Sequence, residues 1–138
     1  MIYRATQIVY DALIEDNFKC SIREGESSST VVAGVNGDNC SFDVLFISQD
    51  NENDVSVRVY DLCRFKDVKR DAVLAACNEC NRKFRFIRFT AEEDNTVTAS
   101  ADVPVETANP GKVCVELFIR CMRIVDECYP EIMRAIVS

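Results

Sequence analysis

From Ile2 to Ile14, the apolar residues Ile2, Ala5, Val9, Ala12 and Leu13 fall on one helical face, while Arg4, Asp11 and Glu15 point away from it. That spacing predicts a first amphipathic helix. Asp16-Asn17 ends it. Cys20, Ile22 and Glu24 then alternate with Lys19, Ser21 and Arg23 up to Gly25 and the serines 27–29, which reads as a strand and a turn. Val31, Val32 and Val35 form a β-branched segment that stops at Asn36-Gly37-Asp38. Asn-Gly predicts a two-residue hairpin there, because both central positions tolerate positive φ. Cys40–Ser48 is almost continuously apolar through Phe42, Val44, Leu45, Phe46 and Ile47 and reads as a central strand. Val55–Leu62 alternates Val55, Val57 and Val59 with Ser56, Arg58 and Tyr60 and reads as half-exposed.

Phe65, Val68, Ala72, Val73, Ala76, Cys77, Cys80 and Phe84 follow the i, i+3, i+4, i+7 spacing of a second helix, opposite Lys69, Arg70, Asp71, Glu79 and Arg82. Phe84, Phe86 and Ile87-Arg88-Phe89 enter a strand. Glu92–Asn95 supplies a polar turn, and Val97, Ala99 and Ala101 alternate with Thr96, Thr98 and Ser100 before Pro104. Asn109-Pro110-Gly111 opens a last long helix carrying Cys114, Leu117, Phe118, Cys121, Ile124, Val125 and Cys128. Pro130 interrupts it, leaving Glu131–Val137 as a short closing helix. The order α-β-β-β-β-α-β-β-α-α predicts an α+β fold of two layers, an antiparallel sheet packed against helices.

At 138 residues the chain is the size of one domain, residues 1–138, and such a domain buries roughly two thirds of its unfolded surface. With 48% hydrophobic and 28% charged residues, 4 Gly and 3 Pro, the composition is that of a chain that folds throughout. The net charge of −7, with no basic cluster to offset it, argues against a nucleic-acid partner. No apolar run approaches the ~20 residues needed to cross a bilayer, and Met1–Asp16 lacks the basic and apolar regions of a signal peptide. A cytoplasmic protein without a membrane partner is the expectation.

Eight cysteines and no histidine raise the question of metal, disulfide or redox chemistry. Cys77 and Cys80 have the C-x-x-C spacing that zinc and redox sites use. Their place near a helix C-terminus, where the dipole disfavours a thiolate, suits neither, and reduced, buried thiols acting as small hydrophobes are the expected reading. A metal- or redox-sensing regulator built on Cys77 and Cys80 is the alternative. Cys114, Cys121 and Cys128 recur every seven residues, about 10 Å apart along a helix and too far to share a metal. Joining Cys77 or Cys80 to Cys121 needs the second and last helices to touch.

Asp50-Asn51-Glu52-Asn53-Asp54 resembles the start of a calcium loop but has Val55 and Asp61 where such a loop needs Gly and Glu. No nucleophile lies beside a base at a supporting spacing, and Asp43, Asp61 and Asp102 await a partner in a cleft. There is no phosphate-binding glycine motif. No enzyme, metal or other cofactor is expected.

The helix ending Asn78-Glu79-Cys80-Asn81, the aromatic strand Phe84–Phe89, the small-residue strand into Asp102-Val103-Pro104 and the terminal Pro130-Glu131-Ile132-Met133 together resemble the bacterial YbjN-domain proteins over nearly the whole chain. Cys80 departs from the pattern, which more often has Leu there. The resemblance implies a fold like that of type III secretion chaperones, a role as a sensory transduction regulator and no established enzymatic activity. It also implies a homodimer paired through a helix that binds extended client segments by strand addition or in hydrophobic grooves. The apolar arc of the last long helix is wider than one small sheet covers, so Val115, Ile119 and Met122 are expected to face a partner protein or second copy. Contact with the closing helix Glu131–Val137 is the competing reading.

Overall fold

Ala5, Val9 and Leu13, one turn apart, are buried along α1 (Arg4–Glu15) in the computed structural model, which describes residues 1–49 and 53–138. The helix ends as its sequence suggests. Asn17 takes a left-handed conformation at φ 66°, the amide of Phe18 reaches the carbonyl of Leu13, and that of Asn17 reaches Ile14. This is the paired bonding of a Schellman stop, with Asn in the position usually held by Gly. The stop aims Phe18 into the core, where its ring meets Phe118 edge-on at 4.9 Å, and Phe118 in turn packs on Phe46.

Six strands follow: β1 (Ser21–Glu24), β2 (Ser28–Asn36), β3 (Ser41–Gln49), β4 (Asp54–Val59), β5 (Arg88–Ala91) and β6 (Val97–Pro104). They form one antiparallel sheet in the order β1-β2-β3-β4-β6-β5. The register sorts the side chains by face. Val31, Phe46, Val57 and Ala101 are partners in one row across four strands, and all are buried. This inner face is covered by α1, by α2 (Arg70–Lys83) and by α3 (Pro110–Val137). Here α1 lies on β2, β3 and β4, α3 on β6 and α2 on β5, with α3 touching both other helices. The next row, Val32, Leu45, Arg58, Ser100 and Arg88, lies on the opposite face, which no helix covers among the described residues.

The α+β class, the two layers and the element order are as the periodicities predict, with the last two helices joined. α3 runs without a break from Pro110 to Val137, and Pro130 lies inside it. Asn109 caps its start by accepting from the amide of Lys112, with Pro110 at the first position. Gly111 is needed because α1 passes so close that a Cβ there would stand 3.0 Å from that of Ala12.

Four local expectations are corrected. The Asn36-Gly37 hairpin exists, but Asn36 pairs with Ser41 and the loop is four residues long, with the amide of Gly37 bonded to the carbonyl of Cys40. Neither Asn36 nor Gly37 has positive φ. Glycine is required instead for space, since a Cβ at residue 37 would overlap the carboxylate of Asp126. Val68 is 83% exposed, because a 3₁₀ turn at Asp67–Lys69 precedes α2 and turns it outward; Ala72 is exposed as well. Phe84–Ile87 is not strand: Phe86 has φ 77° and is exposed, and β5 starts only at Arg88. Finally, β3 is covered by helices on one face only. Leu45 and Ile47 are half-buried on the open face through contact with their neighbours in the sheet.

Candidate functional site

Three regions carry the residues that the sequence singles out. The first is the outer side of α3. Ile119 is 44% and Met122 36% exposed, whereas Val115 is only 7% exposed, part of the chain's own core, in a cleft shared with Ala12 and Asp16. The closing segment Glu131–Val137 cannot cover Ile119 or Met122, because it continues the same helix and carries its surface away from them. Ile119 and Met122 instead border a shallow groove with the end of β2 and the β2–β3 loop, from Val35 to Asn39.

That loop is fixed by one carboxylate. Asp126 on α3 accepts from the backbone amides of Asp38 (3.2 Å), Asn39 (2.8 Å) and Cys40 (3.2 Å). These donors hold the Asp126 carboxyl below the usual carboxylate range, against the opposing cost of desolvation. The carbonyl of Asp126 accepts from Asn39 Nδ2.

The second region is where α2 meets α3. Cys77 and Cys80 are both buried, and burial pushes the Cys77 thiol up to about 12. Among the described residues no group of three or more His, Cys, Asp or Glu side chains is arranged to hold a metal. α2 and α3 do touch, but the thiol that meets Cys80 is Cys128, not Cys121. The two perturb each other, the Cys80 pKa being lowered and that of Cys128 raised. Cys114 and Cys121 are core thiols pushed up to about 12 by burial. Glu131 lies beside the pair, its Oε2 3.7 Å from Cys80 Sγ and 2.9 Å from Lys83 Nζ. A contact between thiols 48 positions apart leaves no signal in spacing.

The next residue, Asn81, acts on the sheet. Its side-chain carbonyl accepts from the amide of Phe89 at 2.7 Å and its amide donates to the carbonyl of Phe89 at 3.1 Å. A carboxamide thereby stands where a neighbouring strand would be, closing the edge at β5. At the other end β1 pairs with β2 only up to Val32. Among the described residues, Ala33–Asn36 has a paired strand on the β3 side alone.

The third region is the open sheet face. Arg58 Nη1 donates to the carbonyls of Val57 and Ala101 and pairs with Asp102 at 2.9 Å, with Arg88 further out at 3.9 Å from the same carboxylate. Of the other carboxylates considered, Asp61 is bound to Arg64 at 2.7 Å, and Asp43 sits beside Gly34. Asp61, Glu92, Glu93 and Asp94 surround an open acidic hollow with Tyr60 and Arg64. Asp94 there accepts from the backbone and hydroxyl of Thr96, which lowers its pKa. Asp50–Glu52 of the calcium-like segment lie outside the described residues.

No described helix is long and apolar enough to cross a membrane. No curated protein matches the chain. Residues 8–132 match the sequence profile of the YbjN family, whose description is "Putative bacterial sensory transduction regulator". The match takes in α1 from Ile8, the whole sheet, the Asn81 clamp, the thiol contact and α3 as far as Ile132. With nearly all of its length matched, this chain belongs to the YbjN family, a family described by regulation and not by catalysis.

Proposed function

We propose that this chain is a non-enzymatic protein-interaction module, a cytoplasmic regulatory adaptor on a secretion-chaperone-like scaffold, that pairs with a second copy of itself through α3 and takes an extended protein client. The observation that carries the reading is the stripe around Ile119. Lys112 and Glu116 precede Ile119 by seven and three residues, and Arg123 and Glu127 follow it by four and eight. All lie on the exposed side of α3. Two α3 helices crossed antiparallel on an axis midway between Ile119 and Arg120 bring the two Ile119 side chains close to one another. Glu116 of one copy then faces Arg123 of the other, and Lys112 faces Glu127. Within one chain Glu116 is paired with Arg120 at 3.0 Å, and in the crossed pair the Arg123 of the second copy joins it. Met122 flanks the crossing. Val115, buried on the α1 side, supports the helix from beneath and does not make contact itself.

For the client, strand addition at the β1 end of the sheet, where Ala33–Asn36 extends past β1, is the mode we favour, because Asn81 closes the edge at β5. The pairing is tested by coexpressing two differently tagged copies. They copurify if α3 pairs; Ile119→Asp and Glu116→Lys each abolish this, and adding Arg123→Glu to Glu116→Lys restores it. Independent elution of wild-type copies contradicts the reading. Capture from native extract tests the adaptor role: a stoichiometric client supports it, and recovery of this chain alone counts against it.

A further inference from the structure

We propose that the cavity between the start of α2 and the end of α3 is a binding site for a small organic anion, one carboxylate or phosphate on an apolar body. The cavity, about 440 Å³, is lined by Arg64, Phe65, Lys66, Lys69 and Ile136, and is within the size range of small-molecule sites. Two apolar side chains and three cations form its walls, and no carboxylate among the described residues lines it, in a chain whose net charge is −7. The one acidic residue between the cations, Asp67, is engaged elsewhere, accepting from Asn95 Nδ2 at 2.6 Å.

The walls are preformed. The amide of Phe65 donates to the carbonyl of Asn95 at 3.0 Å, and the amide of Lys69 to that of Lys66 at 2.8 Å. The Arg70 guanidinium lies 5.1 Å from the centre of the Phe65 ring and is itself held by the carbonyl of Glu92 and the side chain of Asn95. Phe65 is thus a fixed apolar surface, with half-buried Ile136 of α3 beside it. The cations differ in what they can give. Arg64 is neutralised by Asp61 at 2.7 Å and also borders the acidic hollow. Lys69 donates to the carbonyl of Ser138, so its ammonium reaches from the start of α2 to the end of α3. Lys66 is exposed, and its side chain has no partner among the described residues. Two ammonium groups beside an apolar surface match the charged group and the body of one ligand. An inorganic anion lacks the body that Phe65 and Ile136 would cover, and a nucleic acid would be repelled by the rest of the chain. The site is independent of the pairing through α3, because Ile136 lies seventeen residues beyond Ile119, about 25 Å along the helix.

Octanoate, titrated below its micelle concentration into isotopically labelled protein and followed by NMR, is expected to move the signals of Phe65, Lys66, Lys69 and Ile136 to a saturating end point. Octylammonium and inorganic phosphate should leave those signals in place. Lys66→Gln and Lys69→Gln should each weaken octanoate binding about tenfold, the loss of one charge-assisted hydrogen bond. Shifts that do not saturate, that centre on Ile119 and Met122, or that survive the two substitutions together overturn the proposal. So does binding to phosphatidylglycerol vesicles without a response to octanoate, which would make this a lipid-facing patch.

Discussion

The side chain of Asn39 donates a 3.0 Å hydrogen bond to the backbone carbonyl of Asp126, the group that Pro130, lacking an N–H, leaves without its helical partner four residues on. A proline inside a helix costs about 3 kcal/mol relative to alanine; here the β2–β3 loop occupies the carbonyl it frees. The coupling is testable by a double-mutant cycle. Asn39→Ala is expected to destabilise by about 0.5–1.5 kcal/mol. In a Pro130→Ala background, where the helix supplies its own donor, the same change should cost measurably less. Equal costs in both backgrounds, by chemical denaturation, would refute the coupling.

Asp126 also sets a pH dependence. Three backbone amides depress its folded pKa, so its stabilisation is fully present above the unfolded value of about 3.9 and is lost as pH falls through the lower folded value. Denaturation midpoints of wild type and Asp126→Asn, compared from neutral pH downward, should differ by a constant amount until that range is reached and then converge. A gap that stays constant through the acid range would show that the carboxylate is not the group responsible.

Asn81→Ala is expected to cost about 1–3 kcal/mol, because both backbone groups of Phe89 lose their partner, and to expose a strand edge that promotes self-association. Asn81→Asp keeps the acceptor for the Phe89 amide and loses only the donor to its carbonyl, so its loss should be intermediate. Urea denaturation and light scattering across the three proteins measure both effects. Loss of stability without aggregation would mean that the edge is protected by something other than this carboxamide.

Most of the sheet and most of α1 were legible because their inward residues repeat without interruption, as in Val55, Val57, Val59 and Val97, Ala99, Ala101, although Ile2, placed on the apolar face, precedes α1 and is exposed. α2 is marked by Val73, Ala76, Cys77 and Cys80, while Val68 misleads because a 3₁₀ turn and an α-helix share the first step of the pattern. Pro130 reads as a break because nothing local shows that Asn39, 91 residues earlier, takes the freed carbonyl. Of the candidate site, the exposure of Ile119 and Met122 follows from the apolar arc being too wide. Val115, on the same arc, is claimed by α1, whose packing against α3 rests on Gly111 and Ala12. The Cys80–Cys128 contact and the Asn81 clamp are relations between distant residues, invisible to any periodicity.

Pairing of two copies through α3 doubles the mass of the particle in solution. Sedimentation equilibrium of the wild-type protein near neutral pH tests it most directly. The expected mass is twice that of the 15.6 kDa chain, falling to one chain on Ile119→Asp while the circular dichroism spectrum is unchanged. A wild-type mass of one chain across the accessible concentrations, or a dimer that survives Ile119→Asp, would contradict it.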